Sequence, residues 1–246
     1  YGPGKHPNMS KFWIACAYVK FDLKEYHVPC IPKKAITEGV PVTVEKWLHH
    51  SDGVVRLSFS CIDYEMMLQS YDLEVVSWVW VKHWSWKIHK ELQRFVSENN
   101  TLKVEYKKMA KTEKDPDKRH TYLAKSQRAK IDNNASYGKW GEGIVKIGKT
   151  PYSDPDEGVV FRVDREDVTK EYSRKYLPLA IAITAYGRQQ LLTVANALGR
   201  FNLYQDTDSI HYLKEGGQQI IDDLIRRGVM VVHDTDLGAW KHEGNY

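Results

Sequence analysis

Residues 178–199, PLAIAITAYGRQQLLTVANALG, run from a proline to a glycine and lead straight into RFNLYQDTDSIHYL. Proline suits the first turn of a helix, where its missing N–H costs no hydrogen bond, and glycine suits the residue just past the end. One well-delimited, amphipathic-to-buried helix is predicted. The pattern then changes. Residues 201–205 and 209–213 are rich in strand formers and lack Gly and Pro, which predicts a hairpin with Asp206 and Asp208 at its tip.

Two carboxylates one residue apart repel. In a half-buried turn one of them stays protonated unless a cation neutralises it. The stretch therefore asks for a metal or for open solvent. A lone Asp-x-Asp is weak, and HDTDLG repeats the pattern at Asp234 and Asp236. That copy lies in a turn-rich tail and reads as a solvated turn, whereas the first copy is flanked by apolar strand residues. A calcium loop fits neither, because no glycine or closing glutamate falls at the required spacing. Hard carboxylate ligands without His or Cys favour Mg²⁺ or Mn²⁺, ions that clamp the oxygens of an in-line phosphoryl displacement.

The charge is unevenly placed. Residues 82–131 carry 14 Lys/Arg against 6 Asp/Glu, a local +8 that leaves −4 for the remainder of a chain totalling +4. A basic segment beside an acidic pocket suits a polyanion whose chemistry needs cations, and it equally suits a solvated helical face. Cys16, Cys30 and Cys61 stand at no metal-like spacing and read as buried thiols in a reducing cytosol. No apolar run approaches the ~18 residues of a membrane span, so no membrane partner is expected and the location is read as cytoplasmic. The chain opens on Tyr1 without an initiator Met, which suggests a piece of a longer protein.

Along the chain, residues 11–23 read as a buried strand. VPCIPKK and VPVTVEKW read as short strands broken by Pro, and GVVRLSFSCID as a further strand. A short helix over 63–72 and a strand over 73–86 follow; there Trp78 and Trp80 fall on one face and are expected in the core. Two long basic helices come next. The first spans about 88–111, with Ile88, Leu92, Phe95 and Val96 at helical spacing. The second is capped by Asp115, opens on Pro116 and ends at Gly138 or Gly141. An antiparallel helical hairpin is expected. Residues 142–177 are turn-rich around GVVFRVD and suggest an inserted β-hairpin or excursion. After the Asp-Thr-Asp hairpin come a helix at QQIIDDLIRR and a strand at GVMVVHD.

On the second basic helix Arg119, Lys130, Asn134 and Tyr137 fall close to one line. Two cations, an amide and a phenol suit a nucleoside triphosphate: the cations hold phosphates and the ring packs on sugar or base. Thr184 and Arg188 stand i, i+4 in the apolar helix, where an arginine needs a partner, either a carboxylate or a bound phosphate. Gly187 beside it permits close approach.

These strings carry a resemblance. KIDNNASYG (130–138) is similar to the fingers motif of family B DNA polymerases, TAYGR (184–188) to their primer–template motif, and YQDTDSIH (204–211) to their palm motif, all in the family's order. The fit is to the protein-primed branch found in phages and linear plasmids. The resemblance implies an α+β fold: a palm antiparallel sheet, a helical-hairpin fingers element and β-rich insertions. It divides the chain into 1–86 (the insertion facing the terminal protein), 87–141 (fingers), 142–177 (the insertion that helps encircle DNA), 178–232 (palm) and 233–246 (start of the thumb).

The resemblance also implies roles. Asp206 and Asp208 would be catalytic and hold Mg²⁺ or Mn²⁺. Lys118 or Arg119, with Lys130, would hold the dNTP triphosphate, and Asn134 and Tyr137 would shape its pocket. Gly138, Thr184, Arg188 and Tyr204 would contact the DNA primer–template, and a terminal protein would serve as primer at initiation. Ala135 departs from the family's usual Ser. The motif that brings another metal-binding aspartate would lie before Tyr1, so the 246 residues are expected not to polymerise alone. Two other classes stay open: a non-catalytic DNA- or protein-binding module on a palm-like scaffold, and a metal-dependent nuclease, which would not need the Lys130–Asn134–Tyr137 line.

Overall fold

A computed structural model of the chain describes residues 11–84, 90–141, 145–167 and 176–244. Strand β1 (Phe12–Leu23) is followed by the short β2 (Ile31–Pro32), β3 (Ile36–Glu38) and β4 (Trp47–Leu48), then β5 (Val55–Ser60), helix α1 (Cys61–Ser70) and the long β6 (Tyr71–Trp84). The main sheet is antiparallel in the order β3-β5-β1-β6, and β2 pairs with β4. β1 has neighbours on both sides, which accounts for its nearly continuous burial. Around Trp13 the rings of Phe59, Tyr64 and Trp78 lie 5.7–6.2 Å away by centroid, tilted or edge-on, the geometry that aromatic quadrupoles favour.

The tryptophan expectation needs correcting. Trp78 joins this cluster, but Trp80 is 39% exposed, with Lys82 over its ring. The register explains it. Cys16 pairs with Trp80 while Ala17 pairs with Trp78, and a second irregularity follows at Tyr18/Val19. Each bulge inserts one residue and reverses which side chains face the core, so the core set becomes Leu73, Val75, Trp78 and Val81. The VPVTVEKW expectation also fails in part: strand occurs only at Trp47–Leu48, and Val42 and Val44 are fully exposed. Pro41 can donate no ladder bond there.

Helices α2 (Lys90–Thr112) and α3 (Pro116–Gly141) form the expected antiparallel hairpin; Ile88 lies outside the described residues. Asp115 caps α3, its Oδ1 accepting from the Asp117 and Lys118 N–H groups at 2.9 and 3.3 Å. Ser126 donates to the Lys103 carbonyl and Asn133 to the Val96 carbonyl, and Tyr106 stacks on Tyr122 at 6.3 Å. β7 (Val145–Asp154) and β8 (Gly158–Asp167) make a two-stranded hairpin.

Helix α4 (Leu177–Leu198) returns to the main sheet, burying Ala182 and Ala185 in the Trp13 cluster. The hairpin of β9 (Asn202–Asp206) and β10 (Ser209–Tyr212) follows, then α5 (Lys214–Arg226). Val194 and Leu198 of α4 meet Ile221 and Leu224 of α5 in a second, smaller core. The strand expected at GVMVVHD is absent among the described residues; only an isolated bridge joins Val232 to Trp240. Val231 and Val232 are exposed, so alternation there had no sheet to join. The fold is α+β, and no described helix is long and apolar enough to cross a membrane.

Candidate functional site

The β9–β10 hairpin is closed by the pair Asp206–Ser209, with Thr207 and Asp208 at its tip. The turn is tight: the Asp208 N–H donates to the Asp206 carbonyl at 2.6 Å, and Thr207 sits at φ 51°. A β-branched residue seldom adopts that conformation. Thr207 Oγ1 donates to Asp206 Oδ1 at 2.9 Å and Ser209 Oγ to the Asp206 carbonyl at 3.1 Å. The turn thus holds one Asp206 oxygen, Oδ1, by a hydrogen bond from its own Thr207. Asp206 and Asp208 are exposed. Tyr204 lies on the same hairpin, 58% exposed, its ring edge-on to His211 at 5.7 Å.

Helix α4 carries the second group. Thr184 Oγ1 donates back to the Ala180 and Ile181 carbonyls. Arg188 reaches across to α1, where its Nη2 donates to Asp63 Oδ1 at 2.6 Å. Of the two partners the sequence left open, a carboxylate holds it. Helix α3 carries the third group. Its α2-facing residues are Ser126, Ala129 and Asn133; Lys130 and Asn134 stand one position further round and are exposed, as are Lys118, Arg119 and Gly138. Tyr137 lies on α3, but its side chain is outside the described residues. The end of α3 docks on the start of α4. A Cβ added at Gly141 would meet the Ala180 Cβ at 3.2 Å, so the two helices approach at the limit of contact.

No family profile matches the chain. Curated relatives do: the DNA polymerase of Streptococcus phage Cp-1 is 27% identical over 248 residues, covering 99% of this chain and 38% of that protein. The DNA polymerase of Bacillus phage phi29 is 28% identical over 236 residues, covering 92% and 35%. Among solved structures, phi29 DNA polymerase complexed with primer-template DNA superposes with a TM-score of 0.69 at 26% identity over 98% of this chain and 37% of that one. The same polymerase with primer-template DNA and incoming nucleotides gives 0.62 over 85% and 33%. Along nearly its whole length the chain is similar to phage DNA polymerases, and its fold is that of phi29 DNA polymerase. It spans somewhat more than a third of the length of the relatives it matches.

Within this polymerase fold, no three His, Cys, Asp or Glu side chains cluster as a metal site among the described residues. Asp206 and Asp208 still fit a hard divalent ion in kind. Mg²⁺ is commonly held by one or two carboxylates, its remaining positions filled by water and substrate phosphates.

Sequence reading missed Asp63. Its signal was present as Ser60-x-x-Asp63 ahead of an apolar helix. Ser60 Oγ accepts from the Asp63 N–H at 3.2 Å while Asp63 Oδ2 accepts from the Ser60 N–H at 3.0 Å, the reciprocal capping box. Asp63 and Arg188 lie at one side of a cavity of about 700 Å³ whose other walls include Lys33, Lys46, Trp47 and Phe59. Cys30 also lines it. Burial pushes the Cys30 thiol up to about 12, with the nearby Asp63 charge adding to the shift.

Proposed function

We propose that the chain forms the palm and fingers portion of a DNA-directed DNA polymerase that transfers a nucleotide from a dNTP to a primer 3′-hydroxyl, or to a terminal-protein hydroxyl at initiation. The observation that carries this is the convergence of three elements on α4. It ends in the Asp206–Asp208 hairpin, it carries Thr184 and Arg188, and its first turn receives the end of the Lys130–Asn134 helix at Gly141. Likeness to phi29 polymerase bound to primer-template and nucleotide supports the same assignment. In this reading residues 1–86 and 142–177 are the branch-specific insertions, 87–141 the fingers, 178–232 the palm and 233–246 the start of the thumb.

Asp206 and Asp208 would hold Mg²⁺ or Mn²⁺, which when bound supplies charge neutralisation to the attacking and leaving oxygens. Lys130, with Lys118 or Arg119, contributes fixed positive charge where the triphosphate lies and where charge accumulates on the leaving diphosphate. Asn134 and Tyr137 bound the nucleotide pocket. Arg188, Thr184, Gly138 and Tyr204 face the primer–template.

The experiment is Asp208→Asn in the full protein. It keeps the side chain's shape and removes its charge, and it should abolish metal-dependent nucleotide incorporation while primer–template affinity is retained. Incorporation at the parent rate by this variant would reject the reading. Lys130→Ala should raise KM for dNTP, lower kcat, or both.

A further inference from the structure

Arg188 and Asp63 are joined across two helices that run side by side in the same direction. Along α1 and α4 the polar links are Asp63–Arg188 at 2.6 Å, Glu65–Gln189 at 2.7 Å and Ser70–Asn196 at 2.9 Å. The first is unlike the others in one respect. Asp63 is already fixed before it meets Arg188: its Oδ2 accepts from both the N–H and the Oγ of Ser60, at 3.0 and 2.7 Å. Only Oδ1 is turned to α4. The carboxylate is therefore a rigid post set by the α1 cap, and its side chain is 23% exposed. Arg188 is the more exposed partner, with half of its side chain in solvent.

We propose that Asp63 is a positioning residue for primer–template binding: it takes one edge of the Arg188 guanidinium and so presents the opposite edge, in a fixed plane, to a phosphate of the DNA. This rests on the reading of Arg188 as a DNA contact. A guanidinium carries several donors in a planar fork and cannot lose its charge, so one nitrogen can serve a carboxylate while others serve a phosphate. Among the described residues only Nη2 of Arg188 has a protein partner. A free arginine would lose its rotamer freedom on binding DNA, and one already held by Asp63 has less to lose. The cavity beside the pair is lined by Lys33, Lys34 and Lys46 against Glu45 and Asp63, so Arg188 stands where cations outnumber carboxylates, a balance that favours a phosphate.

The test measures primer–template Kd and thermal stability for the full chain, Asp63→Asn, Arg188→Ala and the double variant. Asp63→Asn can keep the acceptor to Ser60 but offers Arg188 no charge. It should weaken binding about three- to ten-fold in the parent and leave Kd unchanged in the Arg188→Ala background, the signature of two residues acting as a unit. A purely structural Asp63 would lower stability equally in both backgrounds and leave Kd unmoved, which overturns the proposal. Tighter binding by Asp63→Asn also overturns it, because Asp63 would then compete with the phosphate. If Arg188→Ala binds primer–template as the parent does, the reading of Arg188 as a DNA contact fails and this proposal falls with it. Loss on Arg188→Ala without loss on Asp63→Asn removes the positioning role alone. Arg188→Lys gives a second arm that needs no change at Asp63. It keeps the cation without the fork and should lose affinity to a similar extent; parent-like binding by this variant rules out the two-edge geometry.

Discussion

The Asn196 side chain accepts the backbone N–H of Val28 at 2.8 Å, across 168 residues of chain, while its amide donates to Ser70 Oγ at 2.9 Å. One amide thus ties the helix that carries Arg188 to the loop after β1 and to the end of α1. Asn196→Ala leaves a backbone donor and the fully buried Ser70 hydroxyl without these partners. The expected cost is about 2 kcal/mol, read as a lower urea midpoint with an unchanged slope.

Primer–template affinity should fall steeply with salt if the exposed cations of α3 meet phosphates. Each such contact contributes about −0.9 to the slope of log K against log salt on duplex DNA. Lys118→Ala combined with Arg119→Ala should flatten the slope by about 1–2 in fluorescence titrations from low to moderate salt. An unchanged slope would place both residues away from the nucleic acid.

Burial raises the Cys30 thiol to about 12, against an ordinary thiol near 8.5. The folded chain therefore keeps a proton that the unfolded chain releases above about pH 8.5. The stability this represents is complete below that pH and is lost as pH rises towards the folded value. Tyr71, also raised by burial, acts in the same direction from about pH 10. Melting temperature should fall from about pH 9 upward, and less steeply in Cys30→Ala. Iodoacetamide should alkylate Cys30 slowly at pH 8.

Thr207 holds its positive φ without the freedom of glycine. Asparagine tolerates that region better, so Thr207→Asn should raise the unfolding free energy by about 0.5–1 kcal/mol. It also removes the hydroxyl that fixes Asp206 Oδ1. In the full protein, nucleotide incorporation should drop even as stability rises, a trade expected where strain is kept at a working turn.

Much of this was legible because it is local. Pro178 and Gly199 bracket α4 to within a residue or two, Asp115 caps α3, and the hairpin at Asp206–Asp208 follows from strand formers on both sides. The failures came where tertiary pairing decides. Trp80 turned outward because two bulges against β1 shift the phase of β6, and no pattern within β6 announces them. Val229–Val232 has strand composition but no neighbouring strand to bond with. Asp63 escaped because its capping pattern says nothing about an arginine 125 positions later. Order of motifs pointed to the resemblance; distances between their side chains needed the fold.

The α1–α4 seam has a further consequence. Its links hold α4 against α1, the helix that leads directly into β6. The hairpin of α2 and α3 and the hairpin of β7 and β8 come between β6 and α4 in sequence, outside the segments that these links join. Lengthening a closed loop costs little, about 0.6 kcal/mol for each doubling. A change in the length of either hairpin should therefore leave the register of α1 on α4 intact, as a tool is changed on a fixed handle.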